Sequence, residues 1–350
     1  LATLSDTDAT NVTGAELVTN GDGSSTTGWT GGNGATVSIV SGALRVTNDG
    51  STSYPFTVQS ITTEVGKTYT VSARGLTSPA YNWYIEIVGG GSTAQSNDEY
   101  KLYTFTATGT TTSLRLIHRG GANGQYKDFD DITLRLAEKD RSVNNNGLQV
   151  FGTITKTAVA TGADLVAYSG FSASNYLEQP YNSGLDFGTG DFSIMGWVKP
   201  TTASNQVMVL RTDQVATGFG TVNFGLGTSG NYAYALVNGT KNISTVTSCT
   251  ANVWSHITMV RRSGVVYLYT NSNNELNFTN TSNVSASTSV TFAGRGIYNG
   301  APTDLSGPLA LLRISATAPS PEQIAKIYND EKYLFQENAK CTLYGASDVV

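Results

Sequence analysis

Residues 185–200 read LDFGTGDFSIMGWVKP. In an extended chain successive side chains alternate between faces, so Phe192, Ile194, Gly196 and Val198 share one side while Met195 and Trp197 take the other. Both sides are apolar, which predicts a strand buried on both faces in the middle of a sandwich. Residues 252–271, NVWSHITMVRRSGVVYLYTN, repeat the logic. There Trp254, His256, Thr258 and Val260 alternate with Ile257 and Met259. Ser263 and Gly264 then supply a tight turn, and residues 265–270 form the return strand of a hairpin.

Working outward, the sandwich containing these strands spans residues 175–332 and is closed by one short helix. Ser320 is a good N-cap, Pro321 suits the first turn, Glu322 places negative charge at the positive helix end, and Gln323 completes a capping box. Ile324, Ile327 and Tyr328 share one helix face. The strand FSIMGWVKP, the strand WSHITMV before its Gly turn, and the terminal SPEQIAKIY resemble the laminin G-like, concanavalin A-like lectin/glucanase superfamily. That resemblance implies a lectin-type sandwich and a capacity for sugar, without naming a ligand.

At 350 residues the chain is about twice the usual size of one domain, so two cores are expected. Only 13% of residues are charged, and 38 are Gly, leaving a surface of hydroxyls and amides. Net charge is −5, and no basic run exceeds the pair Arg261 and Arg262, which argues against nucleic acid. Apolar runs are strand length, which argues against membrane insertion. No signal-peptide pattern opens the chain, and its ends read as cuts within a longer polypeptide. Cys249 and Cys341 could pair once, but two unpaired thiols are the expected state.

Residues 1–14 are Thr- and Asp-rich without periodicity and read as a linker. From residue 15 to 137, eight strands are expected at 36–39, 43–47, 54–61, 68–73, 81–88, 101–107, 113–118 and 131–136, with turn signals between them and no helical period. The fold class is therefore all-β: two antiparallel sandwiches of jelly-roll type in series, with one short C-terminal helix. Three stretches of the first half, ELVTNGDGSSTTGW (16–29), VGKTYTVSARG (65–75) and FDDITLRL (129–136), resemble the jelly-roll sugar-binding modules found beside glycoside hydrolases and in phage fibres. Gly23 departs from the Phe usual after the NGD of that family. Residues 138–174 read as linker and leader, with 159–169 wrapping the second domain, and residues 333–350 as the start of a further region. The leader, together with LFQENAKCTLYG (334–345), resembles bacteriophage tail-fibre proteins.

Chemistry is sparse. Retaining glycosidases need two carboxylates about 5 Å apart, but Glu86 stands alone in its strand, and Asp186 and Asp191 flank a turn. His118 and His256 have no partner at metal or triad spacing, so no enzyme is expected. Sugar binding needs an aromatic face with polar neighbours. In residues 81–88, Tyr81, Trp83 and Ile85 fall on one side and Asn82, Tyr84 and Glu86 on the other. The second set should face outward, because an unpaired Glu is costly to bury. Tyr84, Asn82 and Glu86 are thus the leading ligand-binding residues, with Tyr54, Tyr103 and Arg119 as weaker members.

The resemblance to sugar-binding modules further implies a structural Ca²⁺ held by Asp22 and Asp131, and hard oxygen ligands suit that ion. Asp213 and Asp304 are weaker candidates in the second sandwich. The expected role is a virion tail-fibre or receptor-binding segment, extracellular, attaching a phage to host surface polysaccharide as a homotrimer alongside other virion proteins. The competing readings are a structural virion protein, such as a capsid decoration or fibre spacer, and the accessory region of a secreted glycoside hydrolase.

Overall fold

The structure is a computed structural model and describes residues 2–76, 78–215, 218–298 and 301–343. It divides into two compact units, Gly14–Glu138 on one side and Leu1–Thr13 with Lys139–Val350 on the other. The first unit is therefore inserted into the chain of the second.

Unit Gly14–Glu138 is a sandwich of two five-stranded antiparallel sheets. One runs Thr30–Gly32, Phe56–Thr62, Thr111–His118, Trp83–Ile87, Gly91–Ser92. The other runs Ala35–Val40, Ala43–Asn48, Tyr126–Glu138, Thr68–Gly75, Tyr100–Thr106. The longer strands alternate buried and open positions along much of their length, and the buried set, including Leu44, Val71, Trp83, Ile85, Leu114, Leu116, Phe129 and Leu134, fills the space between the sheets. Trp83 and Phe129 meet edge to face, with ring centroids 5.3 Å apart. The Gly23 departure is built into this unit. Gly23 has φ +66°, and a Cβ there would lie 2.1 Å from the Gly42 carbonyl oxygen, so no larger residue fits.

The second unit packs two antiparallel sheets. In one, Leu309–Ser315 lies beside Phe192–Val198, followed by Ser255–Arg262, Val265–Thr270 and Asn273–Thr279. In the other, Tyr176–Gln179, Ser289–Ala293, Gln206–Val215, Gly218–Ser229, Tyr232–Val237 and Thr240–Ser248 follow in order. Phe192–Val198 is buried along its whole length. Phe192, Ile194 and Val198 enter the central core, and Trp197 packs on the other side with Ala310 and Leu311. Ser263 and Gly264 both have positive φ, as the two-residue turn of the 255–270 hairpin requires. Buried Arg261 ties three loop carbonyls, Gly188, Gly190 and Ser282, to the edge of this core.

Several expectations about the connecting segments are corrected. Residues 1–14 are not a linker: Ala2–Leu4 pairs with Leu309–Ser315, and Leu4 is buried in the second core. The 138–174 leader is structural too. Leu148–Ala158 pairs with Tyr176–Gln179 in one sheet and with Val166–Ser169 in the other, turning between them at Gly152, φ +61°. A Cβ at Gly152 would strike Asn175 Oδ1 at 2.0 Å. Residues 333–343 fold back rather than opening a new region, with Phe335 stacked on Trp197 at 4.4 Å; residues 344–350 lie outside the described residues.

The helix, Pro321–Glu331, has the expected capping box between Ser320 and Gln323. Its Ile324 is buried against Val260 and Tyr269, and Glu331 accepts a hydrogen bond from Trp197 Nε1 at 2.8 Å while pairing with Arg313. Both cysteines are free, Cys249 in the core and Cys341 partly covered. No helix among the described residues is long and apolar enough to cross a membrane.

Candidate functional site

The site begins with the alternation of Trp83–Ile87. Trp83, Ile85 and Ile87 turn into the core, and the Trp83 indole N–H is satisfied by the Asp98 carbonyl at 2.8 Å. Tyr84 and Glu86 must then point to the outer face of their sheet. Register across that sheet builds two rungs. Phe56, Ile117 and Tyr84 lie side by side in one, and Val58, Arg115, Glu86 and Ser92 in the next.

Each rung has its own chemistry. Arg115 Nη1 donates to Glu86 Oε2 at 3.0 Å and lays its guanidinium 4.5 Å from the Phe56 ring centre. Beyond the paired residues on the Phe56 side, Tyr54 is exposed and held through its backbone. Its carbonyl accepts from Asn33 Nδ2 at 3.1 Å, and its N–H donates to Thr52 Oγ1 at 3.2 Å. Arg119 lies over the Tyr54 ring at 4.8 Å, donates from Nη1 to Gln95 Oε1 at 3.1 Å, and donates its backbone N–H to the Asn82 carbonyl at 2.9 Å. Burial raises the Tyr84 hydroxyl pKa, Glu86 and Tyr54 add to the rise, and Arg119 and Arg115 oppose it. Those charges therefore converge on one tyrosine.

Five of the six candidates, Tyr84, Asn82, Glu86, Tyr54 and Arg119, thus belong to one neighbourhood. Tyr103 does not. It lies on Tyr100–Thr106 of the opposite sheet, packs against the core beside Phe105, and donates its hydroxyl to the Gly90 carbonyl at 2.6 Å. It shares Phe105's inward side because residues two apart in a strand share a face. Arg115, Phe56 and Gln95 were missed. Alternation in the expected strand 113–118 could have found Arg115, whereas Gln95 comes from a loop and leaves no periodic signal.

The acidic pair at the other candidate site is arranged loosely. Asp22 Oδ1 accepts from Ser24 Oγ at 2.6 Å and Ser24 N at 3.1 Å, which holds its carboxyl below the usual range. Asp131 is exposed at φ +49°, with Oδ2 3.9 Å from Arg74 Nη1. Burial raises the neighbouring Asp130 carboxyl; a hydrogen bond from Asp131 N lowers it, and the charges of Asp131 and Asp22 raise it again while Arg74 opposes them. Among the described residues no three acidic, His or Cys side chains converge as a metal cage. A calcium here would take Asp22 and Asp131 and complete its six to eight oxygens from backbone carbonyls and solvent. In the second unit, Asp213 accepts from Ser289 and Asp304 from Gly296 N.

Both histidines are buried framework residues. His118 Nδ1 accepts from Gly120 N and its Nε2 faces the Val46 carbonyl, each at 3.0 Å, as in a neutral ring. His256 lies between Trp197 and Tyr328, with no hydrogen bond to either ring nitrogen.

The two buried faces of Phe192–Val198 and the capped closing helix are the features that a family comparison tests. Residues 171–325 match the concanavalin A-like lectin/glucanases superfamily. That lectin-like segment covers most of the strands of the second sandwich and the start of its helix. Among solved structures, the chain is similar to domain 4 of AbnA, a GH43 extracellular arabinanase from Geobacillus stearothermophilus, solved with arabinotriose. The identity is 18%, covering 54% of this chain and 85% of that one, with a TM-score of 0.39. It is also similar to the Ruminococcus gnavus IT-sialidase CBM40 bound to α2,3-sialyllactose, at 10% identity over 41% and 84% of the two chains, TM-score 0.36. A heptameric SAP-like pentraxin from Limulus polyphemus matches at 13% over 39% and 69%, TM-score 0.32. No curated protein matches.

Proposed function

We propose that this chain is a non-catalytic glycan-binding segment of a bacteriophage tail fibre, attaching the particle to surface polysaccharide of a host bacterium. The observation that carries the binding part is the outer face of the first sandwich, where Tyr84 and Tyr54 offer aromatic surface beside Arg119, Arg115, Glu86 and Asn82. Such a face can stack on the apolar side of a sugar ring and exchange hydrogen bonds with its hydroxyls. Catalysis by a carboxylate pair is not supported there: the register neighbours of Glu86 are Arg115 and Ser92, neither an acid. The charge-poor, Gly-rich composition and the tail-fibre-like flanking sequence support the fibre part. A homotrimer would multiply weak sites by avidity, and a structural calcium at Asp22 and Asp131 belongs to the same reading.

The test is adsorption of the purified chain to host cells and to isolated envelope polysaccharide, with light scattering for subunit number. Saturable binding by a trimer, competed by the polysaccharide, is the expected result. Binding to neither cells nor polysaccharide overturns the adhesive role.

A further inference from the structure

The two arginines of the candidate face are in opposite states. Arg115 is spent: Glu86 takes its charge at 3.0 Å. Arg119 is exposed, and no carboxylate among the described residues lies within ion-pair distance of it. Its polar side-chain contact is the neutral Gln95 amide at Nη1, which leaves the Nε and Nη2 edge of the guanidinium open. That edge is a planar two-donor fork of the shape a carboxylate accepts.

The fork is also held in place. Tyr54 lies under it, and Tyr54 is itself pinned on both sides of its backbone. Gln95 sits in a loop clamped from within by two buried lysines. Lys101 Nζ donates to the Ala94 carbonyl at 3.1 Å and to Ser96 Oγ, and Lys127 Nζ donates to Asn97 Oδ1 at 3.0 Å. Burial lowers the pKa of both lysines, and both remain donors to fixed oxygens. An exposed arginine ordinarily loses affinity to side-chain entropy on binding; one oriented beforehand loses less.

We infer that this face selects glycans that carry a carboxylate, of uronic or sialic acid type, and that Arg119 reads the acid group while Tyr84 and Tyr54 take the sugar ring. This rests on the glycan-binding reading above and names its ligand class. The chain as a whole is negative, so selection for an acid must come from this local fork and not from bulk attraction.

The experiment is titration of the full chain at low salt with matched probes: oligogalacturonate against its methyl ester, sialyllactose against lactose, and sulfated lactose as the anion of different geometry. The acid member of a pair should bind about fivefold or more tighter than its neutral partner, and tighter than the sulfate. R119Q should erase the difference, R119K should recover it in part, and K67Q, which removes the same charge from an exposed turn, should leave it intact. Equal binding of acid and neutral forms, or a preference that survives R119Q, overturns the inference while the glycan-binding reading stands. Preference for the sulfate assigns the fork to tetrahedral anions and overturns it as well. No binding to any probe or to host polysaccharide overturns both.

Discussion

Trp83 and Tyr84 are adjacent in the chain and do opposite things. Trp83 is fully buried, and removing it opens a large cavity beside Phe129. W83A should cost about 3–5 kcal/mol of the first unit's stability, read by urea denaturation. Y84A should leave that transition almost unmoved and weaken glycan binding about tenfold, read by the same titrations used for Arg119. The histidines make a pH prediction. Burial pushes His118 down to about 4 and His256 to about 3, against about 6.5 in an unfolded chain. Between those values the unfolded chain binds more protons, so the stability these groups contribute is present above about pH 6.5 and falls as pH drops to about 4 for His118 and about 3 for His256. Denaturation at a series of pH values should show this slope, reduced in H256Q; a flat profile would refute it. The outward turn of Tyr84 was legible because strand alternation and the cost of burying Glu86 agree. Tyr103 was not, because aromatic character does not say which of two stacked sheets a strand joins.

At the scale of elements, the start of the helix Pro321–Glu331 was readable to the residue because capping is local chemistry. S320A removes the acceptor of the Gln323 N–H and should cost about 1 kcal/mol. E331A should cost more, about 3 kcal/mol, because it leaves the Trp197 N–H and the Arg313 guanidinium without their shared acceptor. Thermal melts of the two variants check the order; equal shifts would mean the helix is held by its cap rather than by its seat on Trp197. The double-faced strand Phe192–Val198 was likewise plain in its residues. The strand Ala2–Leu4 was not: three residues show no period, and their partner Leu309–Ser315 lies at the far end of the chain. Leu148–Ala158 was hidden for another reason, since a strand that serves two sheets keeps no single alternation.

For the whole molecule, the two units have separate cores, and the first thirteen residues belong to the second. A chain starting at residue 14 should therefore lower the midpoint of the second sandwich's transition and leave the first sandwich's in place, measured by calorimetry. Calcium gives the converse prediction. Chelation should lower only the transition of the first unit if Asp22 and Asp131 hold the ion, and no shift on adding calcium to chelated protein would remove it from the proposal.

The insertion of residues 14–138 within the chain of the second sandwich also has a mechanical meaning. Tension applied through the two ends of this segment enters at Ala2–Leu4 and leaves after the helix, and both anchor points belong to the second sandwich. The load path thus closes across the pairing of Ala2–Leu4 with Leu309–Ser315. The inserted sandwich, with its open arginine, stays slack until that strand and Val12–Gly14, which pairs with Leu148–Ala158, have both peeled away. In single-molecule pulling from the termini, the first rupture should release the second sandwich's strands, leaving the ligand face folded under a force that has already begun to unravel its host.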